Sequence, residues 1–407
     1  MKTTEVSAAE EADWLLTPDA VRERAGFLFE LAQNGKLDHF RLLPEKLADA
    51  ADFVAATIRE NYPDLKVPPH ARWRHFVFEG TDRFAARSHL LPSDPLERAR
   101  VECEIAITSV LLDAGAGAAW AYTDPETGKS VGRSEGLALA SLAMFFDGAF
   151  LSDPAAPLRA DGERLAGFAE DDLQQGFQIS DANPLEGAEG RAALLKRVGD
   201  LIIARPDHFP GGRLGGLVDF MIGHAGDKTI PANLIVLTML HALGRIWPDR
   251  IILEGRNLGD TWWHGKIPGS GLIPFHKLSQ WISYSLFEPM ERLGYAITEQ
   301  DRMTGLAEYR NGGLFLDLGV LELTDSSSAN TAFAPGDEII VEWRALTIAL
   351  LDAIAPLVRE RLNVSADAFP MAAVLEGGTW AAGRKIAKSK RTGGPPPLNI
   401  VSDGSVF

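Results

Sequence analysis

Cysteine is nearly absent from this chain. Cys103 is the one cysteine in 407 residues, so no internal disulfide or thiolate metal cluster can form, and a reducing compartment suits the fold. Cys103 itself reads as a small apolar residue in a helix core. Long hydrophobic runs are missing as well. The most apolar stretch, Ile230 to Leu243, is interrupted by Pro231, Asn233 and His241 and falls short of the ~20 residues a bilayer span needs. It reads as a buried core helix, and no membrane association is expected. The opening Met1-Lys2-Thr3-Thr4-Glu5 has no basic segment leading into an apolar one, which predicts a cytoplasmic protein. Positive charge is short too. Forty Lys and Arg against 56 Asp and Glu give a formal charge of −16, a surface that repels phosphate polymers and argues against nucleic acid as a partner. The local exception, Arg384-Lys385-Ile386-Ala387-Lys388-Ser389-Lys390-Arg391, reads as a solvated flexible face or as a pocket wall for one phosphate.

Several familiar chemistries are missing. No GxGxxG opens a βαβ unit, and Gly115-Ala116-Gly117 follows a helical stretch and reads as its cap. There is no P-loop and no G-x-S-x-G elbow. The nine histidines are scattered; His70 and His75 are the closest pair, and neither HExxH nor HxH occurs. No metal and no cofactor are expected.

What is present is helical periodicity. Apolar residues recur at three- and four-residue spacing over Pro18 to Asn34, Glu45 to Asn61, Pro95 to Leu112, Gly132 to Phe146, Glu189 to Ile203, Ala232 to Leu243, Phe275 to Leu293 and Asp337 to Leu362. With 46% apolar and 24% charged residues, this predicts a mainly α protein with a minor β or extended component, built as a single two-lobed domain over residues 1–407. Gly312 to Leu323 breaks the pattern with three glycines and is either extended or the opening of a buried helix. Gly393-Gly394-Pro395-Pro396-Pro397 starts an extended tail over 393–407, because consecutive prolines favour polyproline II.

Four stretches place polar and aromatic residues where a structural helix would carry Leu and Ala. In Gly255 to His264, Trp262 and Trp263 flank Asp260 and His264 and could sandwich a flat ligand or cap the core. In Pro274 to Pro289, Lys277, Gln280 and Tyr284 share one helical face, beside His276 and Trp281. In Thr304 to Asp317, Glu308 and Asp317 bracket Tyr309, Arg310 and a glycine pair that would let backbone approach a ligand; an ion pair of Arg310 with either acid is the architectural alternative. In Val341 to Thr347 and Leu375 to Arg384, each segment joins an acid, a tryptophan and an arginine, an arrangement that serves anion binding or architecture equally well.

Together these segments resemble the uracil-catabolism protein family of the ring-opening pyrimidine pathway, over almost the whole chain. The resemblance rests on Arg133-Ser134-Glu135-Gly136-Leu137-Ala138, Phe177-Gln178 with Asn183-Pro184-Leu185, Pro274 to Trp281, Glu308 to Gly313, Glu342 to Thr347 and the terminal Ser402-Asp403-Gly404-Ser405-Val406-Phe407. It implies a place in a pathway where uracil is opened to a ribosylurea-type intermediate from which urea must be freed. A second segment set, Lys277 to Gln280 and Glu308-Tyr309-Arg310, is similar to motifs of the queuosine-nucleotide N-glycosylases, with Glu308 where those have Asp. That similarity implies a helix-hairpin-helix, DNA-glycosylase-like fold. The resemblance further implies an N-ribosyl hydrolase acting on ribosylurea or its 5′-phosphate. Glu308 would then stabilise an oxocarbenium-like sugar, Asp260 or Asp317 would protonate the leaving group, and Arg133, Lys277, Arg310 or Arg384 would hold a phosphate. Trp262, Trp263 and Trp281 would pack on the substrate, with His264, His276, Gln280 and Tyr309 in the same pocket. Two other readings stay open: a non-catalytic partner of the cyclohydrolase-like ring-opening enzyme, and an amidohydrolase acting on the ureide.

Overall fold

The computed structural model describes residues 7–117, 119–247 and 250–401. These form two compact units, residues 7–70, 250–280 and 299–401 in one and 71–247 with 281–298 in the other. The fold is mainly α, with only short two-stranded pairings among the described residues.

The first unit is organised by the 25-residue helix Glu338–Leu362, whose residues from Ile339 to Ile348 are buried throughout. A helix segment buried on every side has to be surrounded, and Pro18–Gln33 and Leu47–Asn61 pack along it. Thr17 caps the first of these through its side chain, with Pro18 at the first helical position. The helix Tyr309–Asp317 lies against the same central helix and against Ala381–Lys390. Both crossings need glycine. A Cβ on Gly312 would sit 2.7 Å from the Thr347 hydroxyl and 2.8 Å from the Trp343 ring, and one on Gly383 would sit 2.2 Å from the Arg310 carbonyl oxygen. The glycines after Arg310 therefore serve close helix packing rather than approach to a ligand. Strand pairs trim this unit: Phe40–Leu42 with Leu321–Leu323, Thr261–Trp263 with Leu272–Pro274, and Ala332–Phe333 with Asn399–Ile400.

In the second unit the helix Pro95–Leu111 is buried from Val101 onward and packs on Arg133–Phe146 and Ala188–Ala204. Cys103 lies within it, fully buried, and burial pushes its thiol well above the usual range, ahead of the nearby Glu102 and Glu104 carboxylates. The Gln178 and Asn183 side chains clamp the backbone around Tyr122–Thr123, Asn183 bonding Ala121 in both directions at 2.9 Å and Gln178 bonding Thr123.

The periodic segments become helices within a few residues of their expected ends: Leu47–Asn61, Pro95–Leu111, Ala188–Ala204, Lys277–Arg292 and Glu338–Leu362. Gly312 to Leu323 divides, its first half inside the helix Tyr309–Asp317 and its end in the strand Leu321–Leu323. The basic run near the C-terminus lies in the helix Ala381–Lys390, with Arg391 just past its end, and it exposes Lys385, Lys388 and Lys390 as a solvated but helical face; a π-helical turn, Val374–Trp380, precedes it. The tail from Gly393 runs without helix to the short strand Asn399–Ile400, and the terminal motif from Ser402 lies outside the described residues.

The Gly383 crossing predicts that Gly383→Ala costs about 1–3 kcal/mol by overpacking. Gly190→Ala, on the helix Ala188–Ala204 with nothing within 4 Å of its Cβ position, gains up to about 1 kcal/mol in helix propensity. Urea unfolding midpoints of the two variants check both signs.

Candidate functional site

The site is built where the helices Lys277–Arg292 and Tyr309–Asp317 begin. The first starts under Asp260, whose side chain accepts the Lys277 N–H at 3.1 Å while its carbonyl accepts the Phe275 N–H at 2.9 Å. Arg344, from the buried central helix, donates to both oxygens of the same carboxylate at 2.8 and 2.7 Å, and its guanidinium stacks over Phe275 at 4.1 Å. Trp262 adds an indole N–H at 2.7 Å. Burial alone would raise the Asp260 carboxyl, but the charge and hydrogen bonds of Arg344, with those of Trp262 and Lys277, outweigh it and hold the group well below the usual carboxylate range. Asp260 is therefore an ionised anchor, which does not suit the proton-donor role expected for it.

Gln280 makes the second tie. Its carbonyl oxygen accepts the Thr304 N–H at 3.0 Å and the Thr304 hydroxyl at 2.9 Å, while its amide donates to the Phe275 carbonyl at 3.2 Å. The segment from Met303 to Glu308 is thus laid, fully buried, alongside the start of the helix Lys277–Arg292. It ends at Glu308, the N-cap of Tyr309–Asp317, whose carboxylate accepts the N–H of Arg310 at 2.7 Å and of Asn311 at 2.5 Å. Burial is the strongest influence on Glu308 and raises its pKa; the two N–H groups and the nearby positive charge of Lys277 and His70 oppose that rise without cancelling it. Lys277 is half-buried within electrostatic reach of this acid.

His70 and Glu376 complete the arrangement. His70 Nδ1 lies 2.6 Å from Glu376 Oε2, both side chains are buried, and Trp380 stands 5.7 Å from the imidazole. Glu376 belongs to the π-helical turn, a distortion that recurs at functional sites. That turn packs on the helix Tyr309–Asp317 that Glu308 caps.

Other expected residues take different places. Asp317 stands at the far end of the helix that Glu308 begins, nine residues and about 13 Å away at 1.5 Å per residue. It is held by Arg391 at 2.7 and 2.5 Å, so it does not converge on Glu308. Trp262 and Trp263 are successive residues of one strand and face opposite sides, which rules out a sandwich between them; Trp263 is 56% exposed and Trp262 lies under Arg250. His264 is fully buried between Glu338 and Glu342, and Glu342 also accepts the N–H groups of His39 and Phe40, so this histidine is architectural. His276 adopts a left-handed φ of 49° and donates to the Leu15 carbonyl, and burial lowers its pKa and keeps it neutral. Arg310 donates to the Gly394 carbonyl at 2.6 Å and leans on Tyr309, anchoring the tail rather than pairing with either acid. Arg384 is half-buried over Trp380 at 4.8 Å. Trp281 and Arg133 belong to the second unit, where Trp281 is buried against His75 and Arg72, while Arg133 opens the helix Arg133–Phe146 with a φ of 57°.

Arg344 and Glu376 lie in segments that the sequence marks by an acid, a tryptophan and an arginine, and His70 stands out only as a neighbour of His75; their actual partners are not visible in the sequence. Arg344 stands in an expected motif, but its partner lies 84 residues away; His70 and Glu376 are 306 residues apart, and a π turn leaves no periodic signature. Among the described residues no group of three His, Cys, Asp or Glu could hold a metal ion, and no helix is long and apolar enough to cross a membrane.

The model of the family described as "Protein of unknown function (DUF1688)" matches residues 14–407. The chain belongs to this family. A relative called "Protein urg3", from Schizosaccharomyces pombe, is 40% identical over 405 residues, covering 97% of this chain and 98% of that protein. "Uracil catabolism protein 4" from Lachancea kluyveri is 38% identical over 429 residues, covering 95% and 97%. The uracil-catabolism resemblance read from the sequence over almost the whole chain holds.

The ion pair predicts a pH-dependent cost. Asp260→Asn leaves Arg344 buried without its counter-charge and costs about 3–5 kcal/mol at pH 7. Because the folded-state pKa of Asp260 is depressed, its contribution is complete above the unfolded carboxylate value of about 3.9 and is lost as pH falls through the folded one. The gap between wild type and variant in chemical unfolding should therefore be widest near neutral pH and narrow below about pH 4.

Proposed function

We propose that this protein acts in uracil catabolism as an N-ribosyl hydrolase, freeing urea from ribosylurea or its 5′-phosphate. The direction of the pathway rests on the relative named for uracil catabolism. The chemistry rests on one observation, the buried Glu308 carboxylate pinned by two backbone N–H groups beside Lys277.

Breaking the bond between C1′ and the ureide nitrogen builds positive charge on the sugar. A fixed carboxylate in a dry site stabilises that charge without having to reorganise. The N–H pair from Arg310 and Asn311 holds both oxygens and opposes the effect of burial on the acid. Lys277, half-buried and cationic, suits a 5′-phosphate or a hydroxyl of the ribose. Arg344 and Gln280 act as supports in this scheme; they fix the two helix starts that hold Lys277 within electrostatic reach of Glu308.

Glu308→Gln should lower urea release from ribosylurea by about 10²- to 10³-fold, the range for loss of one electrostatic transition-state contact. Its stability should stay within about 2 kcal/mol of wild type, since the lost N–H acceptor is offset by removal of a buried charge. Undiminished turnover in the folded variant would remove Glu308 from the mechanism. The pH profile gives a second check. Only the ionised carboxylate stabilises the cation, and the Glu308 pKa is raised, so activity should fall with decreasing pH at a midpoint above the ordinary glutamate value of about 4.3.

A further inference from the structure

Urea leaves poorly as an anion, so the reaction needs a proton donor, and neither Asp260 nor Asp317 is placed to be one. We propose that His70, oriented by Glu376, protonates the departing ureide nitrogen. The inference rests on the N-ribosyl hydrolase reading above.

Its basis is geometric. The 2.6 Å contact between His70 Nδ1 and Glu376 Oε2 fixes the ring with Nδ1–H toward the carboxylate, so Nε2 is the nitrogen that gains and loses the working proton. The His70 backbone is fixed as well, its N–H donating to the Ala372 carbonyl at 3.0 Å on the helical turn that leads into the π segment. Both side chains are buried, at 3% and 8% exposure, where an imidazolium needs a paired carboxylate to exist at all. The charge of His70 acts on Glu308, so the pair stands within electrostatic reach of that carboxylate, and the Glu376 turn packs on the helix that Glu308 caps. The π register is what lets this happen. Gly377 and Gly378 press so closely on Val67 and Ile58 that a Cβ on either would meet them at 2.9 to 3.1 Å, and the widened turn aims Glu376 at His70.

The step balances. The C1′–N bond breaks with its electron pair going to nitrogen, Nε2–H supplies the proton, and neutral urea departs. Water adds to C1′, and its proton returns to Nε2 to restore the imidazolium. His70 is the catalytic residue in this scheme and Glu376 a positioning residue.

The test compares two substrates, ribosylurea and 4-nitrophenyl β-ribofuranoside, whose nitrophenolate leaves without protonation. His70→Gln is expected to lose about 10²- to 10⁴-fold on ribosylurea, the usual weight of general acid catalysis, and less than about 10-fold on the nitrophenyl riboside. Glu308→Gln should lose on both. Equal losses on the two substrates in His70→Gln would overturn the acid role. Wild-type protein that cleaves neither substrate would overturn the hydrolase reading itself, a distinct outcome. Glu376→Gln gives an independent readout: removing the carboxylate destabilises the imidazolium, so the basic limb of the ribosylurea profile should move to lower pH. An unmoved limb would count against the pair.

Discussion

The first unit depends on one buried ion pair, Arg344 with Asp260. Three separate parts of the chain meet there: the loop before the tryptophan strand, the start of the helix Lys277–Arg292, and the central helix Glu338–Leu362. Arg344 also reaches toward the Ala307 carbonyl at 3.4 Å, next to Glu308. A buried pair of this kind is weak evidence for net stability, because desolvating both charges offsets most of their attraction. What it supplies is geometry. A bidentate guanidinium allows one orientation of its carboxylate, and a carboxylate that also caps a helix allows one position of that helix.

Much of the helical framework was legible in the sequence because each long helix shows an apolar face, and residues close in sequence set that face. The helix Pro95–Leu111 and the helix Ala232–Leu243 need no knowledge of their neighbours to be drawn. The site was legible only in part. Lys277, Gln280 and Glu308 were found because polar residues in a buried setting break the pattern. The pairings of Gln280 with Thr304, Asp260 with Arg344 and His70 with Glu376 were not legible, although each residue lies in or near a marked segment, because tertiary packing alone brings the partners together. The reading of Asp260 and Asp317 as acids failed for the same reason: each has an arginine partner distant in sequence, Arg344 in one case and Arg391 in the other. Adjacent aromatic residues misled in a different way. Trp262 next to Trp263 looks like a sandwich in a linear sequence, but strand geometry sends neighbours to opposite faces.

Asp260 and Glu308 show how one unit gives two carboxylates different chemistry. Both are buried, so desolvation pushes both upward. Asp260 meets a full positive charge at hydrogen-bonding distance and ends far below its ordinary range; Glu308 meets two neutral N–H groups and more distant charge, and ends above it. The difference in partner, an arginine against a helix end, decides which acid is pushed below its ordinary range and which is pushed above it. Asp260, which accepts from Arg344 twice, from Trp262 and from the Lys277 N–H, has no lone pair left for a sugar, whereas Glu308, held by two backbone donors, keeps about two.

Glu308 also departs from a local rule. Helix N-caps favour Ser, Thr, Asp and Asn, whose short side chains reach the second and third N–H of the helix from an extended backbone, and Glu308 does the same with one more methylene. Stability alone would favour the shorter acid, because the longer chain loses more rotamer freedom on burial. A glutamate retained there is economical only if its carboxylate must stand farther from the helix axis than an aspartate would place it. On the hydrolase reading proposed above, the extra methylene would set the reach of this carboxylate toward the sugar.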